Sequence, residues 1–267
     1  MRAITSLSFS VCLFLLVGCG GGGGSSSTGG GSNGTSNSSV TSGNWSLVAS
    51  SSVVANTSYI GGSLTQSGSS LSATMHIDHS SCYELTTDVP LSGTITGSSF
   101  TLTSSIVNSQ VITVTGTITN SSTLQGTYSI AGGCAAGDRG TVSGVLVPSV
   151  NGTWKATDSS TGTTVTITGT ITQSATGTAD GIFLLTGSFT YSGSPCSTGG
   201  TLLSDSFIAG DVVGVDAQTN DTGGVKGETV LVAILNNPTS PTSFSGSYQI
   251  LSGACSGETG TLNFVKQ

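Results

Sequence analysis

His76-Ile77-Asp78-His79 gathers the side chains that hold transition metals, two imidazoles and a carboxylate within four consecutive residues. On an extended strand alternate residues share a face, so His76 and Asp78 point together and His79 falls in the turn beside them. Three such ligands can hold zinc, yet no fourth ligand lies nearby, and the set reads as solvent-facing polar residues. A second stretch, Asp216 to Gly224, carries oxygen ligands Asp216, Gln218 and Asn220 at alternate positions, as a calcium loop does. Asp221 stands where such a loop needs its turn glycine, and Gly227 where it needs a bidentate glutamate. The expectation there is an acidic, solvated hairpin loop. No metal and no cofactor is assigned to either stretch.

Catalytic groups are equally short of partners. Serines abound, but the chain has 2 histidines, both in the cluster above, so a serine-histidine-aspartate arrangement would have to be built at that one place. Paired carboxylates for sugar cleavage are not evident among Asp78, Glu84, Asp88 and Asp138. Gly30-Gly31-Ser32-Asn33-Gly34 matches a nucleophile elbow in letters only, because no strand precedes it and no helix follows. The chain reads as a non-enzyme.

The elements that carry these residues form a repeat. Gly43-Asn44-Trp45 matches Gly152-Thr153-Trp154, Cys82 matches Cys196, Gly126-Thr127-Tyr128 matches Gly246-Ser247-Tyr248, and Cys134 matches Cys255. Two copies of one domain, 44–149 and 150–267, follow from this order. In the second copy Thr190, Ser192 and Gly193 stand for His76, Asp78 and His79, which weakens the metal reading further.

Each copy alternates apolar and hydroxyl residues between Gly, Ser and Asn turns, the pattern of short antiparallel strands. Ile112, Val114, Gly116 and Ile118 take one face and Thr113, Thr115, Thr117 and Thr119 the other; Val165, Ile167, Gly169 and Ile171 repeat the pattern. In copy one the strands are expected near 44–50, 57–66, 71–78, 90–96, 99–107, 110–119, 123–130 and 140–147, and copy two divides into eight as well. The fold class is therefore all-β, two tandem eight-stranded antiparallel meander barrels, with β-sandwiches as the alternative. A meander brings the third-to-fourth and seventh-to-eighth connections to one end, which pairs Cys82 with Cys134 and Cys196 with Cys255 across a barrel mouth. Trp45 and Trp154 are expected as barrel plugs, and Tyr128 and Tyr248 as core or cap residues whose hydroxyls reach a loop.

Charged residues are 6% of the chain and the net charge is −7, so no basic patch exists to displace counterions from nucleic acid or anionic lipid. A transmembrane barrel needs aromatic girdles and an apolar outer face, whereas aromatics are 6% and the outer face here is threonine and serine.

The start of the chain has its own character. Met1-Arg2 precedes an apolar run, Leu7 to Val17, too short to span a bilayer but of the length of an export signal. Leu16-Val17-Gly18-Cys19 closes that run and resembles the lipobox of bacterial lipoproteins. The resemblance implies removal of a signal peptide, 1–18, and a thioether-linked diacylglycerol on Cys19, with an additional acyl chain on the new amino terminus. Two or more acyl chains give stable membrane anchoring. Gly20 rather than aspartate after the cysteine implies, by the enteric pattern, transfer to the outer membrane. Residues 19–43 then form the acylated cysteine and a Gly/Ser-rich tether with a reach of roughly 25–30 Å. The Gly-x-Trp opening of each copy is similar to that of lipocalin-like and streptavidin-like barrels, although a biotin site needs several tryptophans and each copy has one. The functional expectation is a lipid-anchored envelope protein with a structural or protein-interaction role. A lipocalin-like carrier of a small apolar ligand is the alternative, and an envelope enzyme inhibitor acting through a loop such as Ala217 to Gly227 is a further one.

Overall fold

A computed structural model describes residues 38–158 and 164–267. Cys19, the expected signal peptide 1–18 and nearly all of the expected tether 19–43 lie outside them. The described chain is strand and turn without helix.

In the first copy eight strands run β1 (Gly43–Ser51), β2 (Thr57–Ser67), β3 (Ser70–Asp78), β4 (Val89–Thr96), β5 (Ser99–Ser104), β6 (Val111–Asn120), β7 (Thr123–Ala131) and β8 (Arg139–Leu146). Each pairs antiparallel with the next, and β8 returns to β1 with Trp45 opposite Leu146, which closes the ring. The strand alternation sets the two faces: Ile112, Val114 and Ile118 are buried inside while Thr115, Thr117 and Thr119 are exposed outside. The expected fifth strand is shorter than the sequence pattern implied. It stops at Ser104 because Asn108 and Ser109 both take positive φ, and Val107 and Gln110 bridge across that tight turn.

The second copy has β9 (Gly152–Asp158), β10 (Val165–Gln173), β11 (Phe183–Ser192), β12 (Ser197–Leu202), β13 (Phe207–Ala209), β14 (Val212–Asp221), β15 (Lys226–Leu235), β16 (Ser243–Ser252) and β17 (Thr259–Lys266). Eight of these close a second meander ring through the β17–β9 pairing. The short β13 is an addition that pairs with β11 and β14 beside β12. Both rings are barrels, so the sandwich alternative does not apply.

Trp45 and Trp154 are 0% and 1% exposed, filling equivalent ends of the two interiors. Each indole N–H donates to a carbonyl four residues upstream, Thr41 and Val150 respectively, so the polar edge of the plug is satisfied by the segment leading into its strand. At the other mouth Cys82 is bonded to Cys134 and Cys196 to Cys255, with Cα separations of 5.6 and 5.8 Å. The bridges close loops of 52 and 59 residues, each worth about 4 kcal/mol in the chain-entropy account.

The barrels dock through β1, β2 and β3 of the first against the β13–β14 turn and the 177–181 segment of the second. Asn44, 2% exposed, forms a reciprocal pair with Gly210: its Nδ2 donates to Gly210 O at 2.9 Å and its Oδ1 accepts from Gly210 N at 2.6 Å. Gly210 has φ 60°, and any side chain there would strike Gly61. A side chain on Gly61 would in turn strike the backbone of Ala209. Two glycines thus let the barrel walls meet backbone to backbone.

Candidate functional site

The histidine cluster lies at this seam and is not assembled for metal. His76 sits on the outer face of β3, as expected, but the second barrel covers it and leaves it 9% exposed instead of solvent-facing. Its ring nitrogens face two carbonyl oxygens, Nε2 toward Asp180 O at 2.7 Å and Nδ1 toward Leu85 O at 3.1 Å. Neither nitrogen turns to Asp78. His79 takes positive φ in the turn, places Nδ1 3.1 Å from Asp78 Oδ2, and packs edge-on against Tyr59. Asp211, buried across the seam, has its carboxyl held above the usual range, chiefly by burial and also by the charge of Asp78.

The stretch expected as an acidic, solvated hairpin loop is mostly strand: β14 runs to Asp221 and β15 begins at Lys226, so the turn between them is short. Asp216, Gln218 and Asn220 lie on the outer face of β14, because Val213, Ala217, Thr219 and Asp221 take the interior. Along the strand Asp216 and Asn220 stand about 13 Å apart, too far for all three residues to wrap one ion. The carboxyl of Asp216 is instead pushed up to about 6 by burial and by the neighbouring Asp205 and Glu228. On the adjacent β15, Val232 and Ile234 leave an apolar stripe exposed at 58% and 40%.

The disulfide-bridged mouths differ in the way that matters. In the first barrel Gln110, 0% exposed, fills the space beneath the bridge: its Oε1 accepts from Ala135 N and its Nε2 donates to Cys82 O. One carboxylate, Asp138, takes hydrogen bonds from Ser51 Oγ at 2.6 Å and Tyr128 Oη at 3.1 Å. The interior holds an apolar void of about 30 Å³ among Leu64, Met75, Phe100 and their neighbours.

The strand registers place the two barrels in correspondence residue by residue. Trp45 opposite Leu146 matches Trp154 opposite Lys266, so Ala49 corresponds to Asp158. Ile77 opposite Ile60 matches Tyr191 opposite Ile167. Ile112 opposite Ile130 matches Thr229 opposite Ile250, and Gln110, two residues earlier, matches Gly227. At the mouth of the second barrel, then, one alanine has become a carboxylate, two isoleucines have become hydroxyl residues, and the plugging glutamine is gone.

The result is a cavity of about 70 Å³ beneath the Cys196–Cys255 bridge, with Ile167 and Leu262 among its apolar lining. Asp221 reaches into the space left by Gly227, where a Cβ would collide with it. Its carboxylate accepts from Ala254 N at 2.7 Å, from Thr219 Oγ1 at 2.7 Å and from Ser197 Oγ. Burial works against its charge, but those three donors outweigh burial and hold the carboxyl below its ordinary range. Tyr248 Oη lies 2.8 Å from Asp158 Oδ2 and 2.9 Å from Glu258 Oε1. Tyr191, opposite, has its phenol pushed up to about 12 by burial and by the charges of Asp221 and Glu258. Thr229 Oγ1 is shielded from solvent with no hydrogen-bond partner. No lysine or arginine lines the cavity. Glu258 also approaches Cys196 and Cys255, but those sulfurs are spent on each other and offer no thiolate to a metal.

None of these mouth residues stands out in the sequence by motif. The repeat marks one of them, since the landmark that aligns Trp45 with Trp154 sets Asp158 against Ala49; Thr229 is set against Ile112 only by the strand registers.

No protein-family model matches the chain, and no curated protein matches it. Among solved structures, that of the Myxococcus xanthus hemagglutinin in complex with α3,α6-mannopentaose is similar at 14% identity, covering 83% of this chain and 98% of that one with a TM-score of 0.22.

Proposed function

We propose that this chain is a lipid-anchored protein of the bacterial cell envelope with a non-catalytic structural or protein-interaction role. In this reading residues 1–18 are removed, Cys19 is acylated and inserted in the outer membrane, and the tether presents a body of two docked barrels. The observation that carries it is the small size of the cavity found in each barrel. Ligand pockets run to roughly 300–1,000 Å³, whereas the cavities here are about 30 and 70 Å³. A lipocalin-like carrier of an apolar molecule would need several times that room. The inhibitor alternative relied on a long loop from Ala217 to Gly227, and most of those residues are paired in the β14–β15 hairpin. The exposed Val232 and Ile234 favour contact with another protein over storage of a ligand.

Metabolic labelling with an alkynyl fatty acid, followed by membrane fractionation, tests the anchor. The wild-type chain should carry label and sediment with outer membranes, and Cys19→Ser should do neither. Native mass spectrometry of the full-length chain tests the rest of the reading. A co-purifying apolar small molecule would overturn it in favour of the carrier.

A further inference from the structure

The two disulfides strap equivalent mouths from equivalent loops, yet they differ in three ways that bear on attack by a thiol. The loops correspond closely: the N–H of Cys82 donates to Ser80 Oγ and that of Cys196 to Ser194 Oγ, both at 3.2 Å. Access is one difference. Cys134 is exposed and Cys82 half-buried, whereas Cys196 is 8% exposed and Cys255 half-buried, so the first bridge presents the more open sulfur. Charge is another. The attacking species is a thiolate, and a carboxylate oxygen of Glu258 lies within 4.8 Å of both sulfurs of the second bridge. Asp138 holds the matching place in the first barrel, each acid following the same Gly-to-Ile backbone turn, but it is engaged by Ser51 and Tyr128. Among the described residues no carboxylate stands so close to both sulfurs of the first bridge. The leaving group differs as well. Ser81 Oγ lies 3.9 Å from Cys82 Sγ, within reach of donating to a thiolate, while Pro195 stands beside Cys196 and has no donor.

We propose that the bridge of the first barrel is a thiol-exchange site, attacked at Cys134 by a dithiol, while the bridge of the second barrel is a permanent structural link. A thiolate of the dithiol bonds to Cys134 Sγ as the bond between the two cysteine sulfurs breaks. The bonding pair goes to Cys82, which departs as a thiolate beside the Ser81 hydroxyl. The second sulfur of the dithiol, once deprotonated, attacks its partner in the mixed disulfide, closes a ring and releases Cys134. The chain gains two electrons and, at neutral pH, two protons, and the dithiol loses both. Gln110 stays beneath the opened mouth with Ala135 N and Cys82 O as its partners, which keeps the two loops opposite one another. The reverse exchange with the oxidised dithiol then restores the bridge. This site stands whether or not Cys19 is acylated.

The test is timed reduction of the full-length chain, purified in mild detergent. Existing thiols are blocked with N-ethylmaleimide and dithiothreitol is added at pH 7.5 without denaturant. Iodoacetamide then quenches the reaction for peptide mass spectrometry. Cys82 and Cys134 should become alkylated at least about tenfold faster than Cys196 and Cys255, with tryptophan fluorescence unchanged throughout. With glutathione, a monothiol, the adduct should sit on Cys134 and the alkyl group on Cys82. Exchanging 2-mercaptoethanesulfonate for cysteamine, a thiol of similar size and opposite charge, should speed attack on the second bridge by a larger factor than on the first. Ser81→Ala should slow opening of the first bridge severalfold and leave the melting temperature where it is. Equal rates at the two bridges, an adduct on Cys82, or a first bridge that opens only in urea would each overturn the proposal.

Discussion

Replacing Asn44 by alanine should uncouple the barrels, and the size of the effect follows from what the amide leaves behind. The Asn44 side chain is the partner of both the N–H and the C=O of Gly210, at 2.6 and 2.9 Å, in a seam where it is 2% exposed. Each net hydrogen bond contributes about 1 kcal/mol, and a buried donor left unpaired costs about 1–3 kcal/mol. The backbone of Gly210 cannot turn elsewhere, because it is wedged against Gly61 and Trp45. The expected loss is therefore about 2–4 kcal/mol, with partial water entry setting the lower end. Urea denaturation of the full-length chain followed by tryptophan fluorescence measures it, since each barrel has one indole. A shift of the midpoint, or a single transition splitting in two as Trp45 and Trp154 report separately, is the expected result. Thr153→Ala, at the corresponding exposed position of the second copy, is the control and should change stability by less than about 0.5 kcal/mol. If Asn44→Ala is as mild as the control and small-angle scattering shows the same envelope, the seam does not hold the barrels together and the reasoning fails.

Gly210→Ala should be at least as harmful, since it adds a left-handed φ penalty to a collision with Gly61; thermal unfolding reads the difference. Removing one disulfide by the paired change Cys82→Ser/Cys134→Ser should cost about 4 kcal/mol, seen as a fall in the urea midpoint of the full-length chain. Asp216 sets a pH dependence. Its folded carboxyl, raised to about 6, keeps a proton that the unfolded chain has already lost, so its contribution is most favourable below pH 4 and is lost as pH rises through 6. Asp216→Asn should therefore flatten the decline between pH 4 and 7 and stabilise the chain at pH 7.5 by about 0.5–1 kcal/mol after solvent screening. A melting-temperature profile against pH that is identical in both proteins would contradict this.

What the sequence reveals well is whatever depends on neighbours along the chain or across one hairpin. Alternation places Ile112, Val114 and Ile118 inside, turn residues mark the hairpins, and the meander brings Cys82 to Cys134 without further information. Contacts between copies leave no such trace. Asn44 and Gly210 are 166 residues apart and neither sits in a motif, so the lock between the barrels is invisible before folding. His76 is misread for the same reason: its strand face would be wet in an isolated barrel and is dry only because the second barrel lies on it. Asp216 is misread in the opposite sense, since oxygen-rich residues at period two suit a calcium loop and the outer face of a strand equally, and the β14–β15 pairing decides. The mouth cavity arises from differences between the copies, whereas the repeat draws attention to what the copies share.

Closure of the two rings has a consequence for how this chain survives crowding. Sheet proteins commonly guard their outermost strands with lysines and other charges, which keep one molecule's sheet from continuing into the next. This chain, with 5 lysines and arginines in total and long runs of alternating valine and threonine, has almost nothing to spend on such guards. It has little use for them: every strand of the first barrel is hydrogen-bonded on both flanks, and the second ring closes in the same way. Resistance to fibril-like stacking is thus conferred by topology instead of by charge, and a sequence that looks ready to aggregate can be packed densely without doing so.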